Sequence, residues 1–145
     1  FNSDKSSLIV ADTMNYGIYK IDSDIKPEEK ITDLSPYQFS PFEGAWSWPD
    51  GIVYLKKYKL FAVADNFGSI TFIDEAGNQV LQYQLLGDEG VLSAASLTVI
   101  NDKLIISDLW EPGYFNVLKS VVKSRFTVPH HSIYSLRLDK VLKGY

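Results

Sequence analysis

The side chains best suited to chemistry fall in a few short stretches. "FEGAWSWPDG", residues 42–51, gathers Glu43, Trp46, Trp48 and Asp50 within nine positions. "SDLW" carries Trp110, and "VPHHS" carries His130 and His131, the only two histidines of the chain. Imidazole titrates near neutrality, so a general base or a metal ligand is the chemistry His130 or His131 offers. A pair on a surface loop with no such task is the plainer reading. Large aromatics on loops favour contact with a ligand, which places Trp48 and Trp110 with Asn66 as candidate substrate contacts. Packing between neighbouring sheets is the competing use of any one tryptophan. "PDG" at 49–51 also reads as a tight turn. Pro49 would fix φ, Asp50 would bond its own backbone, and Gly51 would take the left-handed position.

A second set of acids recurs. "LIVADTMNYGIYKID" (8–22), "LFAVADNFGSITFID" (60–74) and the split pair "LIISD" (104–108) and "SIYSLRLD" (132–139) share one plan. Each has a β-branched run ending in Asp, a turn, and a second alternating run ending in Asp. The first acids are Asp12, Asp65 and Asp108, spaced 53 and 43 residues apart. An Asp at the same place in every unit reads as a turn cap bonded to local backbone, because a catalytic acid needs only one special copy.

These units define the elements that must position the candidate residues. The runs alternate with period two, not 3.6, so they are strands. The middle unit predicts four: Gly51–Leu55, Leu60–Ala64, Ser69–Ile73 and Gln79–Leu85. Gly and Asn in "DEAGN" suit the last connection. The third unit predicts strands over Ser96–Ile100, Lys103–Ser107 and Ser132–Leu138, with "ND" as a tight turn. The first predicts two strands and a third near Lys30–Leu34. Four-stranded units repeating every 40–50 residues indicate an all-β chain of β-propeller blades. The expected organisation is a single propeller segment over 1–145, with a partial first blade at 1–40, a second at 41–90 and a third at 91–145. Residues 109–131 form an insertion in the third. Phe115, Leu118, Val121 and Val122 stand there at helical spacing, predicting a short amphipathic helix beside Asp50 as a lid, a packing element or a partner contact.

Three blades leave two apolar faces bare. The expectation is therefore either the remainder of a longer propeller, preferred because Phe1 opens abruptly against a strand, or a second copy that closes the ring.

Composition narrows the function classes. Hydrophobic residues make up 46% and charged residues 22% of 145, as in ordinary globular domains. Net charge is −4, which gives no basic footprint for nucleic acid. No apolar run reaches the length of a membrane-spanning helix. Cysteine is absent, excluding disulfides, thiolate zinc sites and cysteine nucleophiles, and leaving the compartment open.

The stretch "PDGIVYLKKYKLFAVADNFGSITFID" resembles the repeated unit of six-bladed propellers of the gluconolactonase, senescence-marker and strictosidine-synthase-like group, and of NHL-repeat propellers. Pro49, Asp50, Gly51, Leu60, Ala64, Asp65, Ile70 and Asp74 match that unit, and Asp12, Asp22, Asp108 and Asp139 match its tail. The resemblance implies that Asp50, just before an inner strand, holds a divalent cation, calcium above all, near the propeller axis. Glu43 in "FEGAW" is similar to the family's metal-binding Glu, although here it precedes a separate "PDG". Ala94 and Ala95 stand where the third blade would place its ligand. The implied activity is binding or hydrolysis of a small lactone or ester at the propeller mouth, with His130 or His131 handling protons. The alternative is a non-catalytic propeller acting as a protein- or ligand-binding scaffold.

Overall fold

A computed structural model describes residues 2–13, 17–22, 32–33, 49–66, 68–87, 90–91, 94–108 and 133–145. These residues are mostly β. Sheet I is antiparallel and contains β1 (Ser7–Asp12), β2 (Gly17–Asp22) and β3 (Thr32–Asp33) in that order. Sheet II is a four-stranded antiparallel meander of β4 (Pro49–Leu55), β5 (Leu60–Asp65), β6 (Ser69–Asp74) and β7 (Gln79–Gln84). A small hairpin of β8 (Leu86–Gly87) and β9 (Gly90–Val91) follows. Sheet III contains β10 (Ala94–Ile100), β11 (Lys103–Asp108) and β12 (Ile133–Arg137). One turn of helix, α1 (Leu138–Val141), ends the described chain.

The turns follow from residues that tolerate positive φ. Gly68 (φ 87°) and Gly77 (φ 93°) each donate an amide N–H to the carbonyl of an Asp three positions earlier, Asp65 and Asp74. Both close three-residue hairpin loops of the type that ends in a left-handed residue. Asp74 also acts as a local cap. Its Oδ1 accepts the amides of Ala76 and Asn78, and its Oδ2 accepts from Asn78 Nδ2. Asn101 (φ 47°) and Asp102 (φ 61°) form the two-residue turn between β10 and β11, both left-handed as a type I′ turn requires.

Sheet II is apolar on both faces, and each face has a partner. Along β5, Leu60, Ala62 and Ala64 join Ile70 and Phe72 of β6 in a core with Leu104, Ile106, Leu138 and Leu142 of the third unit. The alternate residues Phe61, Val63 and Ile73 pack with Ile9 and Ile18 of sheet I. The three sheets are therefore stacked face to face in chain order.

The stacking has one sense throughout. Aligning the repeated Asp65 and Asp108 sets Phe61 level with Leu104 and Val63 level with Ile106. Phe61 and Val63 face the sheet before, and so do Leu104 and Ile106. The same rule holds for sheet I, whose Ile9 and Ile18 face the sheet after. Every covered interface thus joins the forward face of one sheet to the backward face of the next.

Polar ties reinforce both interfaces at the end where β4 finishes. Glu75 Oε1 accepts the Ser3 amide and the Tyr54 hydroxyl, each at 2.7 Å, linking sheet II to the segment before β1. Lys57 Nζ lies 2.7 Å from Asp102 Oδ2, and the Tyr58 hydroxyl donates to Asp102 Oδ1, linking sheet II to the β10–β11 turn. Asp102 holds the Lys57 ammonium up to about 12, and the Ser3 amide with the Tyr54 hydroxyl keeps the Glu75 carboxyl below its ordinary value.

Two expectations about elements change. Sequence alternation carries the last strand through Leu138, but Leu138 begins α1 and is buried against Leu104 and Ile106. Its amide donates to the Asp102 carbonyl, so the chain turns inward as soon as β12 ends. The β8–β9 hairpin carries no sequence signal long enough to predict it. The expected helical insertion, 109–131, lies outside the described residues.

Candidate functional site

The end of the sheets opposite those ties carries the two described candidates, Asp50 and Asn66. There β1 and β5 finish and β4 and β10 begin. Pro49 pairs with Asp65 across the β4–β5 ladder, so Asp50 and Asn66 each lie one residue from the same rung. The Thr13 hydroxyl, just beyond β1, donates to the Pro49 carbonyl at 2.8 Å. Sheet I is thereby fixed to the start of β4.

Gly51 brings in sheet III. A Cβ at this position would lie 2.1 Å from the Ala95 carbonyl oxygen and 2.9 Å from the Ser96 Cα. Its φ is not positive, and 49–51 belong to β4. The turn reading of "PDG" is thus corrected. The glycine is needed because the backbone of β10 passes where a side chain would stand, a close-approach role for glycine. Both leading strands are irregular here, β4 between Pro49 and Ile52 and β10 between Ala94 and Ser96. Bulges bend a strand and re-aim its side chains, and they recur beside sites.

The polar inventory at this end is rich in acceptors. Asp50 is partly buried, and Asp65 is 1% exposed. Asn66 Oδ1 is buried without a hydrogen-bond partner. Gln84 donates its Nε2 to the Gly68 carbonyl at 2.6 Å, while its Oε1 is likewise buried and unpartnered. Buried carboxamide oxygens without donors are uncommon in folded proteins, since each costs about 1–3 kcal/mol. Two of them border the β5–β6 loop. Such oxygens suit a ligand rich in N–H or O–H groups, or a hard cation, which takes carboxylate and carboxamide oxygens. No three Asp, Glu or His side chains come together as a metal cluster among the described residues.

Of the residues singled out in the sequence, the structure brings Asp50 and Asn66 to one end of sheet II. Glu43, Trp48, Trp110, His130 and His131 lie outside the described residues. Sequence reasoning missed Thr13 and Gln84. Thr13 had a signal, since it follows Asp12 as Asn66 follows Asp65. Gln84 had none, because nothing distinguishes it from the other glutamines of "QVLQYQ" until the strands are paired.

No protein-family model matches the chain, and the curated proteins contain no significant match to it. No helix among the described residues is long and apolar enough to cross a membrane.

Proposed function

We propose that the chain is a run of β-propeller blades of the gluconolactonase-like or NHL type, and that it binds a small molecule at the end where β4 and β10 begin. The observation that carries this reading is the close approach of Gly51 to Ala95, which sets the starts of two successive first strands side by side. Propeller blades converge in this way around their axis. The single sense of stacking supports the same reading, because each new sheet repeats the relation of the last.

The activity implied is binding or hydrolysis of a lactone or ester. A divalent cation fits the donor type present: Asp50 supplies a carboxylate, and Asn66 an acceptor oxygen that nothing else uses. When bound, such a cation polarises a carbonyl and lowers the pKa of a coordinated water. Asp50 and Asn66 hold and orient, the Thr13–Pro49 bond fixes the strand start from which Asp50 projects, and His130 or His131 handles the proton. Thermal unfolding with and without millimolar calcium tests the proposal. Calcium raises the melting temperature of the native chain, and Asp50→Ala and Asn66→Ala each abolish the gain. Equal melting temperatures in calcium and in chelator overturn the cation.

A second reading is favoured by one specific feature. Ala94 and Ala95, both buried, occupy in β10 the places that Pro49 and Asp50 occupy in β4. A propeller whose first strands do not all begin with ligands suits a non-catalytic scaffold that binds a ligand or a protein through its loops.

A further inference from the structure

Charge divides the molecule by its ends. At the candidate site, β1, β5 and β11 finish on Asp12, Asp65 and Asp108, and Asp50 lies at the start of β4. No lysine or arginine stands at that end among the described residues. The opposite end collects cations. The β4–β5 turn carries Lys56, Lys57 and Lys59, all exposed. Strand β11 opens on Lys103, which pairs with Arg137 at the close of β12, and both are exposed. Lys140 in α1 and Lys143 just after it extend the array.

These segments are tied to one another. The Leu138 amide donates to the Asp102 carbonyl, and Lys57 and Tyr58 both reach the Asp102 carboxylate. Seven cations thus share one end of sheets II and III with two carboxylates, Asp102 and Asp139. Both carboxylates are engaged already, Asp102 by Lys57 and Asp139 by Arg137 at 2.6 Å. Lys56, Lys103 and Lys143 have no carboxylate within ion-pair distance among the described residues. The other acids of this end lie towards sheet I, at Asp4, Asp22, Asp74 and Glu75. The whole chain carries −4, so this patch reverses its overall sign.

The make-up of the patch selects the partner. Six of its seven cations are lysines, and its one arginine is occupied by Asp139. Lysine is a hydrated point charge, whereas the fork of a free arginine grips single phosphates in bidentate fashion. The set suits a diffuse negative surface better than discrete phosphate recognition. Tyr145, 68% exposed, stands beside Lys143, and such amphipathic rings settle at the level of lipid headgroups. The cations occupy turns, strand ends and one helical turn, not a groove that could follow a nucleic-acid strand.

We infer that the end of sheets II and III bearing Lys56, Lys103, Lys140 and Lys143 docks on an anionic lipid surface. The same charge division sets the orientation. A negative bilayer attracts this end and repels the acids of the other, so Asp50 and its neighbours face solution. The inference stands apart from the ligand proposed for that end and needs neither the cation nor the blade reading.

Co-sedimentation of the full chain with phosphatidylcholine vesicles, plain or containing about one third phosphatidylserine, tests it. The expected result is binding to the anionic vesicles alone, falling steeply as salt is added. Each lysine near such a surface contributes about fivefold in partitioning, so Lys56→Gln/Lys103→Gln/Lys143→Gln lowers it about 100-fold. Circular dichroism verifies folding. Should the triple variant unfold, Lys140→Gln/Lys143→Gln serves instead, with a loss of about 25-fold. Failure of the native chain to bind anionic vesicles at low salt overturns the inference, as does binding indifferent to the folded variants. Tighter binding to duplex or single-stranded DNA than to vesicles, lost with the same lysines, also overturns it and makes nucleic acid the partner.

Discussion

Gly51 offers the sharpest test of how sheets II and III meet. Replacing it with Ala puts a methyl carbon 2.1 Å from the Ala95 carbonyl oxygen. Close carbon–oxygen contacts settle at about 3.3 Å, so roughly 1.2 Å of separation must be found. The obstructing atom is backbone, so no side chain can rotate away, and β10 itself must retreat from β4. Overpacking of this kind costs about 1–3 kcal/mol, and the fixed backbone places Gly51→Ala near the upper figure, ~3 kcal/mol. For a chain of this size that lowers the melting temperature by about 6–12 °C. A size series separates close approach from backbone conformation. If Gly51 served as a left-handed turn residue, Asn would be tolerated better than Ala, because Asn visits that region readily. The structure predicts the reverse: stability falls in the order Gly, Ala, Ser, Asn. Gly68, whose φ of 87° is left-handed, is the control, and there Asn should outperform Ala. Calorimetry on the two series decides the matter. Gly51→Ala melting within a degree of the native chain, or Gly51→Asn outperforming Gly51→Ala, would refute the reasoning.

Other outcomes follow from the two interfaces. Glu75→Gln weakens the tie to Ser3 and Tyr54 and costs about 1 kcal/mol at neutral pH. The Glu75 carboxyl is held below its ordinary value of 4.5, chiefly by the Ser3 amide, so the folded state prefers the ionised form. Its contribution is complete above that value and is lost as pH falls through the lower, folded one. Urea titrations of native and Glu75→Gln chains should therefore converge in acid and separate towards pH 7. Phe72, wholly buried between sheets II and III, and Phe61, buried towards sheet I, each cost about 3–5 kcal/mol when cut to Ala. Equilibrium unfolding shows both losses, and a loss below 1 kcal/mol at either position would contradict the burial assigned to that face.

Much of this architecture was legible beforehand, for identifiable physical reasons. Strands β4 to β7 were readable because their residues alternate on both faces and because Gly68 and Gly77 mark the loops. The Asn101–Asp102 turn was readable because few residue pairs accept two left-handed conformations. Asp74 caps the turn between β6 and β7, a role that the sequence reading gave to Asp12, Asp65 and Asp108 and not to this acid. The role of Gly51 was not readable. A glycine after Pro-Asp looks the same in sequence whether it serves a turn or a neighbouring backbone, and the neighbour lies 44 residues away at Ala95. The helix at Leu138 was hidden because "SLRLD" alternates as well as any strand. What ends β12 is the burial of Leu138 and Leu142 in a core that only the folded chain possesses. Residue type and position named Asp50 and Asn66 as candidates, and the strand pairing places both beside the Pro49–Asp65 rung. The unpartnered oxygens of Asn66 and Gln84 emerge only when every donor nearby has been assigned.

The central claim is that three successive sheets stack face to face in one sense. Because the chain has no cysteine, paired cysteines can report it without background. Lys57→Cys with Asp102→Cys spans sheets II and III, and Ser3→Cys with Glu75→Cys spans the segment before β1 and sheet II. The native side chains touch at 2.7 Å in the first pair, and Glu75 meets the Ser3 amide at 2.7 Å in the second. A short bis-maleimide should join both pairs within one chain, far faster in the folded protein than in urea, as peptide mass mapping would show. Cross-linking of either pair no faster folded than unfolded would contradict the stack.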